Sequence, residues 1–241
     1  MLRDLSALIV TSLVVMAFLS WISRLRRRRG VPAELLRKLT HAGTGLIFLA
    51  CWRLFVRGAE SKYVAGIVPA VVTFRFFMVG LGLLQDDGVV KSLSPAGARE
   101  QLMRGPLAYG VVFTALTIFY WRHVLAILVA VSLCLGDGAV AALVASNIAP
   151  KQQHLRLVAT ALMFFVVSSI AGVGCISLAR VTGWLTMRGE LPMADWPLAA
   201  TAGAFGALAE SVQPSGRGLA NVTIALSVIV GVRLVLLALG R

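Results

Sequence analysis

Long apolar runs alternate with short polar connections along the whole chain, and none is interrupted often enough to read as a half-buried strand. The runs near residues 3–22, 40–56, 63–84, 105–121, 124–146, 157–179, 196–211 and 220–239 each predict a helix. Most approach the roughly 20 residues that cross a bilayer. The seventh is short and Ala-rich, so the expected span count is seven to eight. A transmembrane barrel would instead show alternating segments of about ten residues. The expected fold is therefore all-α, a polytopic transmembrane helical bundle. The first run, MLRDLSALIVTSLVVMAFLSWI, lacks the charged start and short apolar stretch of a secretory leader. It predicts a retained helix, so residues 1–33 are expected to form an N-terminal transmembrane helix with a polybasic loop, ahead of a membrane domain over 34–241.

Composition removes the soluble alternative. The 241 residues are 59% hydrophobic and only 14% charged, against about 25% charged in a soluble domain, and the mean hydropathy is +0.87. The 23 Lys and Arg outweigh the 10 Asp and Glu, for a formal charge of +13. These bases cluster between apolar runs, which points to orientation in a membrane and contact with anionic lipid rather than to nucleic acid. Arg24, Arg26, Arg27, Arg28, Arg29, Arg37 and Lys38 all fall between the first two runs. That concentration predicts an outward N-terminus with the basic connections inside. Cys51, Cys134 and Cys175 are far apart within apolar runs and form no metal-binding spacing, so they predict small buried side chains.

With that orientation, ELLRKLTH (34–41), the stretch 84–106, LGDG (135–138) and the region 210–218 fall at one membrane face. Asp137 is the most informative residue. An ionised carboxylate near a bilayer costs about 2.5–3.5 kcal/mol by insertion scales and marks a functional candidate. Gly136 and Gly138 beside it permit a closely approached, irregular backbone. A carboxylate there can hold Mg²⁺, which favours one or two carboxylates plus phosphate oxygens; the structural alternative is pairing with Arg75 or Arg233. Glu34, Arg37, Lys38 and His41 share one helix face by their spacing. Two cations there suit phosphate, and His41 suits proton transfer near neutral pH. A juxtamembrane anchor with snorkelling bases explains the same residues. Arg75, inside TFRFFMVGLGLL, is expected to face the bundle and pair with an acid or a phosphate, and Glu210 has similar standing. Lys91, Arg99, Arg104, Asp86, Asp87 and Glu100 read as a solvated loop of mixed charge. No Walker loop, GxGxxG unit, protein-kinase signature or nucleophile elbow is present. His123 and His154 stand isolated in connections and receive no role.

ELLRKLTHAGTGLIFLACWRLF is similar to the opening motif of the phytol kinase and farnesol kinase family, polyprenol kinases related to dolichol kinase. RFFMVGLGLLQDDGVVKSLSPAGAREQLMRGPLAYG, followed by YWR at 120–122, resembles the plant pattern nearly throughout. LCLGDG matches the family GDG, and ALAESV with Asn221-Val-Thr resembles its C-terminal elements. The resemblance runs colinearly over 34 to about 230, with most weight on 34–122. It implies a polyprenol kinase-like domain over 34–241 that transfers the terminal phosphoryl of CTP, with Mg²⁺, to an isoprenoid alcohol such as phytol, geranylgeraniol or farnesol, in a plastid membrane and in the service of tocopherol synthesis. Phosphoryl transfer needs chiefly positioning and charge neutralisation. On this resemblance Asp137 holds the metal and His41 or Glu34 orients or deprotonates the alcohol. Arg37, Lys38, Lys91, Arg99, Gly136, Gly138 and Arg156 serve the nucleotide and its phosphates, and Arg75, Glu100, Glu210 and Asn221 support them. The chain departs from the family where a second Asp falls on Ala141, a basic pair and glycines fall on Val144, Ala145, Ser146 and Ile148, Lys-Ser falls on Leu155-Arg156, and Asp-Asp-Asn falls on Leu219-Ala220-Asn221. The alternative expectation is therefore a catalytically weak or inactive prenyl-lipid-binding relative.

Overall fold

The structure is a computed structural model and describes residues 2–26, 33–94, 98–146, 148–185, 195–212 and 219–240. Among these residues every regular element is helical. The basic run Arg27 to Arg29 and the stretch 213–218 of the C-terminal polar segment lie outside the described residues. The chain divides into two compact units, Met1–Trp121 and Arg122–Arg241.

The first unit contains α1 (Leu2–Arg26), α2 (Ala33–Cys51), α3 (Ser61–Gly80), the short α4 (Asp87–Leu93) and α5 (Gly105–Phe119). A 3₁₀ turn at Trp52–Leu54 ends α2, and another at Arg99–Met103 leads into α5. Helix α5 starts where Pro106 can stand, in the first turn, where its missing N–H costs nothing. The core is a column of rings. Tyr109 lies on Phe113 with centroids 4.6 Å apart, and Phe113 meets Phe48 edge-on at 6.4 Å. Phe48 meets Trp52 at 6.2 Å, and Trp52 lies 4.8 Å from Trp121. All five are buried, and the geometry is the tilted or edge-to-face packing that ring quadrupoles favour. Asp4, buried on α1, is accounted for by two hydrogen bonds: it accepts from the Val56 N–H at 2.8 Å and from the Ser61 hydroxyl at 3.1 Å.

The second unit contains α6 (Val124–Val131), α7 (Asp137–Ala145), α8 (Gln153–Val181), α9 (Asp195–Val212) and α10 (Ala220–Ala238). Every residue of α6 is buried, as its all-apolar sequence VLAILVAV requires of a central helix. It packs against α8, α9 and α10. Between α6 and α7 the chain makes a π-turn at Ser132–Gly136, so a single apolar helix Val124–Ala145 carries a local change of register. The unit opens at Arg122, a buried residue with φ 55°.

Among the described residues, six helical segments are long and apolar enough to cross a membrane: Leu2–Ile22, Ser61–Gly80, Arg99–Phe119, Val124–Ala145, Gln153–Val181 and Ala220–Ala238. The two remaining expected spans do form helices, α2 and α9, but fall outside this set. Helix α2 spends its first turns on Glu34, Arg37, Lys38 and His41, and α9 is the short Ala-rich run. Many large apolar side chains on these helices face outward, including Leu13, Phe74, Phe119, Leu162, Val181 and Leu237. In water such a surface would drive association; in lipid it is the solvent-matched face. The protein is an all-α polytopic membrane protein.

Candidate functional site

In the first unit, α2 carries Glu34, Arg37, Lys38 and His41 within its first three turns. Helix α4, which bears Lys91, packs on α2 and on the 3₁₀ turn that bears Arg99 and Glu100; that turn in turn packs on α3 and α5. The expected phosphate-binding bases of this half thus stand on neighbouring elements. His41 is buried, 8% exposed. The Tyr109 hydroxyl donates to the His41 backbone carbonyl at 2.6 Å, and the two rings lie 4.4 Å apart at 30°.

The segment expected as a solvated loop is organised. Asp86 caps α4, its side chain accepting from the Val89 N–H at 3.0 Å, and its other oxygen is paired with Arg75. Burial pushes the Asp86 carboxyl up, but the Val89 N–H, the Arg75 guanidinium and the Gly88 N–H outweigh it and hold the pKa below the ordinary carboxylate value. Val79, Leu84, Gln85, Asp86, Asp87, Val90 and Arg99 line a cleft of about 90 Å³ here. Gly82 has φ +77°, a conformation open to glycine, and the Arg99 guanidinium occupies the space a side chain there would need.

Arg75 does find an acid, as expected, but it does not face the bundle: its side chain is 54% exposed. Helix α3 ends at Gly80, earlier than its apolar run, so Arg75 lies only about 7.5 Å from the helix end at 1.5 Å per residue. A guanidinium spans that distance, which is why it reaches Asp86 past the last turn.

In the second unit Asp137 is the first residue of α7 and donates its backbone N–H to the Ser132 carbonyl across the π-turn. The irregular backbone that Gly136 and Gly138 suggested is this turn, and it packs against α8, α9 and α10. A Cβ on Gly136 would collide with the Ser168 hydroxyl and come within 2.9 Å of the Phe164 ring, so glycine is required by close approach. Replacing Gly136 by Ala should therefore overpack this junction and cost about 1–3 kcal/mol, read as a lower thermal midpoint in detergent. Glu210 stands in the last turn of α9 and buried Asn221 in the first turn of α10. Arg156 is exposed in the first turn of α8. It lies about 12 Å along that helix from Phe164, at 1.5 Å per residue, so α8 presents Phe164 and Ser168 to Gly136. Ala141 lies four residues past Asp137 on α7 and shares its face, leaving one carboxylate there. Among the described residues no group of three or more His, Cys, Asp or Glu could hold a metal ion. Asp137 alone suits a metal that arrives with phosphate oxygens rather than one caged by protein.

Residues that received no functional role from the sequence also have structural work. Tyr109 and Asp86 are two, and His123 is a third. Its Nδ1 accepts the Leu125 N–H at 3.1 Å and so caps α6. Burial first, and then the Arg233 guanidinium, push its pKa below 6.5. The folded imidazole therefore resists protonation more than the unfolded one. Its contribution is complete above the unfolded value, about 6.5, and is lost as pH falls through the folded pKa. The thermal midpoint should fall as pH is lowered from about 8 to about 5 and His123→Asn, which caps without titrating, should flatten that fall by about 2–4 °C.

The chain is similar over part of its length to several curated proteins. The chain is 38% identical over 138 residues to a protein named farnesol kinase, chloroplastic, from Arabidopsis thaliana, a match covering 57% of this chain and 45% of that protein. It is 35% identical over 137 residues to probable phytol kinase 2, chloroplastic, from Oryza sativa subsp. japonica, covering 56% and 45%. It is 30% identical over 139 residues to phytol kinase 1, chloroplastic, from Arabidopsis thaliana, covering 57% and 46%. The chain spans about half the length of the curated relatives it matches. No protein-family model and no solved structure matches it.

Proposed function

We propose that this protein is an isoprenoid alcohol kinase of a chloroplast membrane that uses CTP as donor. The observation that carries the reading is the identity of 30–38% to proteins named farnesol kinase and phytol kinase. The all-helical, lipid-matched exterior supports it, because a prenyl alcohol dissolves in the bilayer and reaches such a protein laterally. In the reaction the alcohol oxygen attacks the γ-phosphorus, the bond from that phosphorus to the β–γ bridging oxygen breaks, and CDP leaves with that electron pair. The alcohol proton passes to His41 or Glu34. The residues proposed for this chemistry lie in both units. In the first, Arg37, Lys38, Lys91 and Arg99 neutralise phosphate charge, on elements that pack together. In the second, Asp137 would hold Mg²⁺ brought by the nucleotide, which supplies charge neutralisation on the phosphates. The basic connections would face the compartment that supplies the nucleotide.

A second reading is favoured by one observation: Ala141 stands on the Asp137 face of α7 where the family pattern has another Asp. In it the protein binds prenyl lipid without efficient transfer. Ligand-dependent stability separates the two readings. The kinase should be stabilised by Mg²⁺–CTP, by about 2.7 kcal/mol at 100 times Kd. Stabilisation by farnesol or phytol with none by CTP, ATP or UTP would select the binder.

A further inference from the structure

The buried carboxylate of Asp4 gathers one end of the first unit. Both of its oxygens are spent on the connection between α2 and α3, one accepting from the Val56 N–H at 2.8 Å and the other from the Ser61 hydroxyl at 3.1 Å. The start of α1 is thereby held against the segment that joins the end of α2 to the start of α3. Arg3 stands beside that staple in sequence, and the connection brings Arg53, Arg57 and Lys62 to the same end. Arg3, Arg53 and Arg57 are exposed, Lys62 is partly exposed, and none of the four forms an ion pair among the described residues. The acids here do not cancel them, since Asp4 is buried and occupied, which leaves Glu60 exposed against four bases. Leu54, Val56 and Tyr63 alternate with these bases and are exposed too, and the Lys62 ammonium lies 5.1 Å from the centre of the Tyr63 ring. A connection bathed only in water gains nothing from exposed apolar side chains set between cations. The headgroup layer of a bilayer takes both kinds, apolar parts at the acyl boundary and cations at phosphate depth. Helix α2 has 19 residues, about 28 Å at 1.5 Å per residue, close to the roughly 30 Å of a hydrocarbon core. This end is therefore far from the α2 start that carries Glu34, Arg37 and Lys38.

We propose that Arg3, Arg53, Arg57 and Lys62 form a binding surface for the anionic headgroups of the surrounding bilayer. The group it selects is a lipid phosphodiester or sulfonate, whose oxygens accept charge-assisted hydrogen bonds from guanidinium and ammonium groups. Leu54, Val56 and Tyr63 hold the connection at the depth where those headgroups lie. The surface stands independently of the kinase reading.

The test uses the full chain in micelles of short-chain phosphatidylcholine, to which short-chain phosphatidylglycerol is added while the thermal midpoint is followed. The midpoint should rise with phosphatidylglycerol, and less so at high salt, where charges are screened over shorter distances. The triple variant Arg53→Gln, Arg57→Gln, Lys62→Gln changes exposed or partly exposed side chains, so it should fold with its midpoint in phosphatidylcholine alone nearly unchanged. It should need at least about tenfold more phosphatidylglycerol for half the rise, since each base near an anionic surface contributes about fivefold. The pair Arg53→Lys, Arg57→Lys keeps the charge and should stay within about threefold of wild type. Glycerol phosphate, which has the headgroup charge without the chains, should give no rise. No response to phosphatidylglycerol, a triple variant that responds as wild type does, or loss of the response in the lysine pair would overturn the proposal. An equal rise with glycerol phosphate would assign the bases to a soluble phosphate and overturn the lipid surface.

Discussion

Asp137→Asn should lower phosphoryl transfer by about 100- to 1000-fold, the loss typical of removing one charged or hydrogen-bonding group that stabilises a transition state. Asn has nearly the same shape and also suits the first turn of a helix. The π-turn that ends at Gly136 should therefore persist, and the thermal midpoint without ligand should stay close to wild type. What disappears is the negative charge. With one carboxylate on this face of α7 and Ala141 a turn away, no neighbouring acid on α7 can substitute. The Mg²⁺–CTP stabilisation should vanish with the activity, and the pair of losses is the signature of a metal–nucleotide role. Loss of activity with nucleotide stabilisation intact would move Asp137 from metal binding to another step. Unchanged activity would remove it from the site.

Asp195→Asn should destabilise the second unit by about 3 kcal/mol, the lower end of the range for breaking one side of a buried pair, or about 6–12 °C in midpoint. Arg180 grips Asp195 with two hydrogen bonds, from Nε at 3.0 Å and from Nη2 at 2.6 Å. Asp195 is 5% exposed at its side chain and Arg180 20%, so the carboxylate is the more deeply buried partner. The sequence places each favourably as well, Arg180 in the last turn of α8 and Asp195 in the first turn of α9, where helix dipoles favour those signs. Asn keeps one acceptor but gives up the charge, leaving a guanidinium four-fifths buried and poorly matched. The residual exposure of Arg180 is the reason for taking the lower end of the range. Replacing both residues with Met and Leu should cost less than the single change, because no unmatched charge is then left behind. Chemical or thermal unfolding of the three variants measures this directly.

Much of the architecture was legible in the sequence because membrane spans are written in long, uniform runs. All eight expected runs are helical, and the differences are local. Arg75 was expected to face the bundle because its apolar run continues to 84, but the chain turns at Gly80, and run length cannot reveal where a helix stops. The segment 84–106 read as a loop, since mixed charge masks capping; the cue was Asp86 followed three residues later by the Val89 N–H it accepts. Asp137 stood out because a charge among apolar residues is costly, and the glycines beside it foretold an irregular backbone. Tyr109 and Asp195 did not stand out. Their meaning lies in partners on other helices, and the one sequence cue for Asp195 is an acid at the head of an apolar run that follows another ending in Arg180.

The central claim is tested most directly by following labelled phosphate from the γ-position of CTP, with ATP and UTP in parallel, to phytol and farnesol in detergent with purified protein. The kinase account predicts a prenyl monophosphate that forms with Mg²⁺, is made fastest from CTP, and falls below about one hundredth in Asp137→Asn. A folded protein that makes no such product from any donor would contradict it.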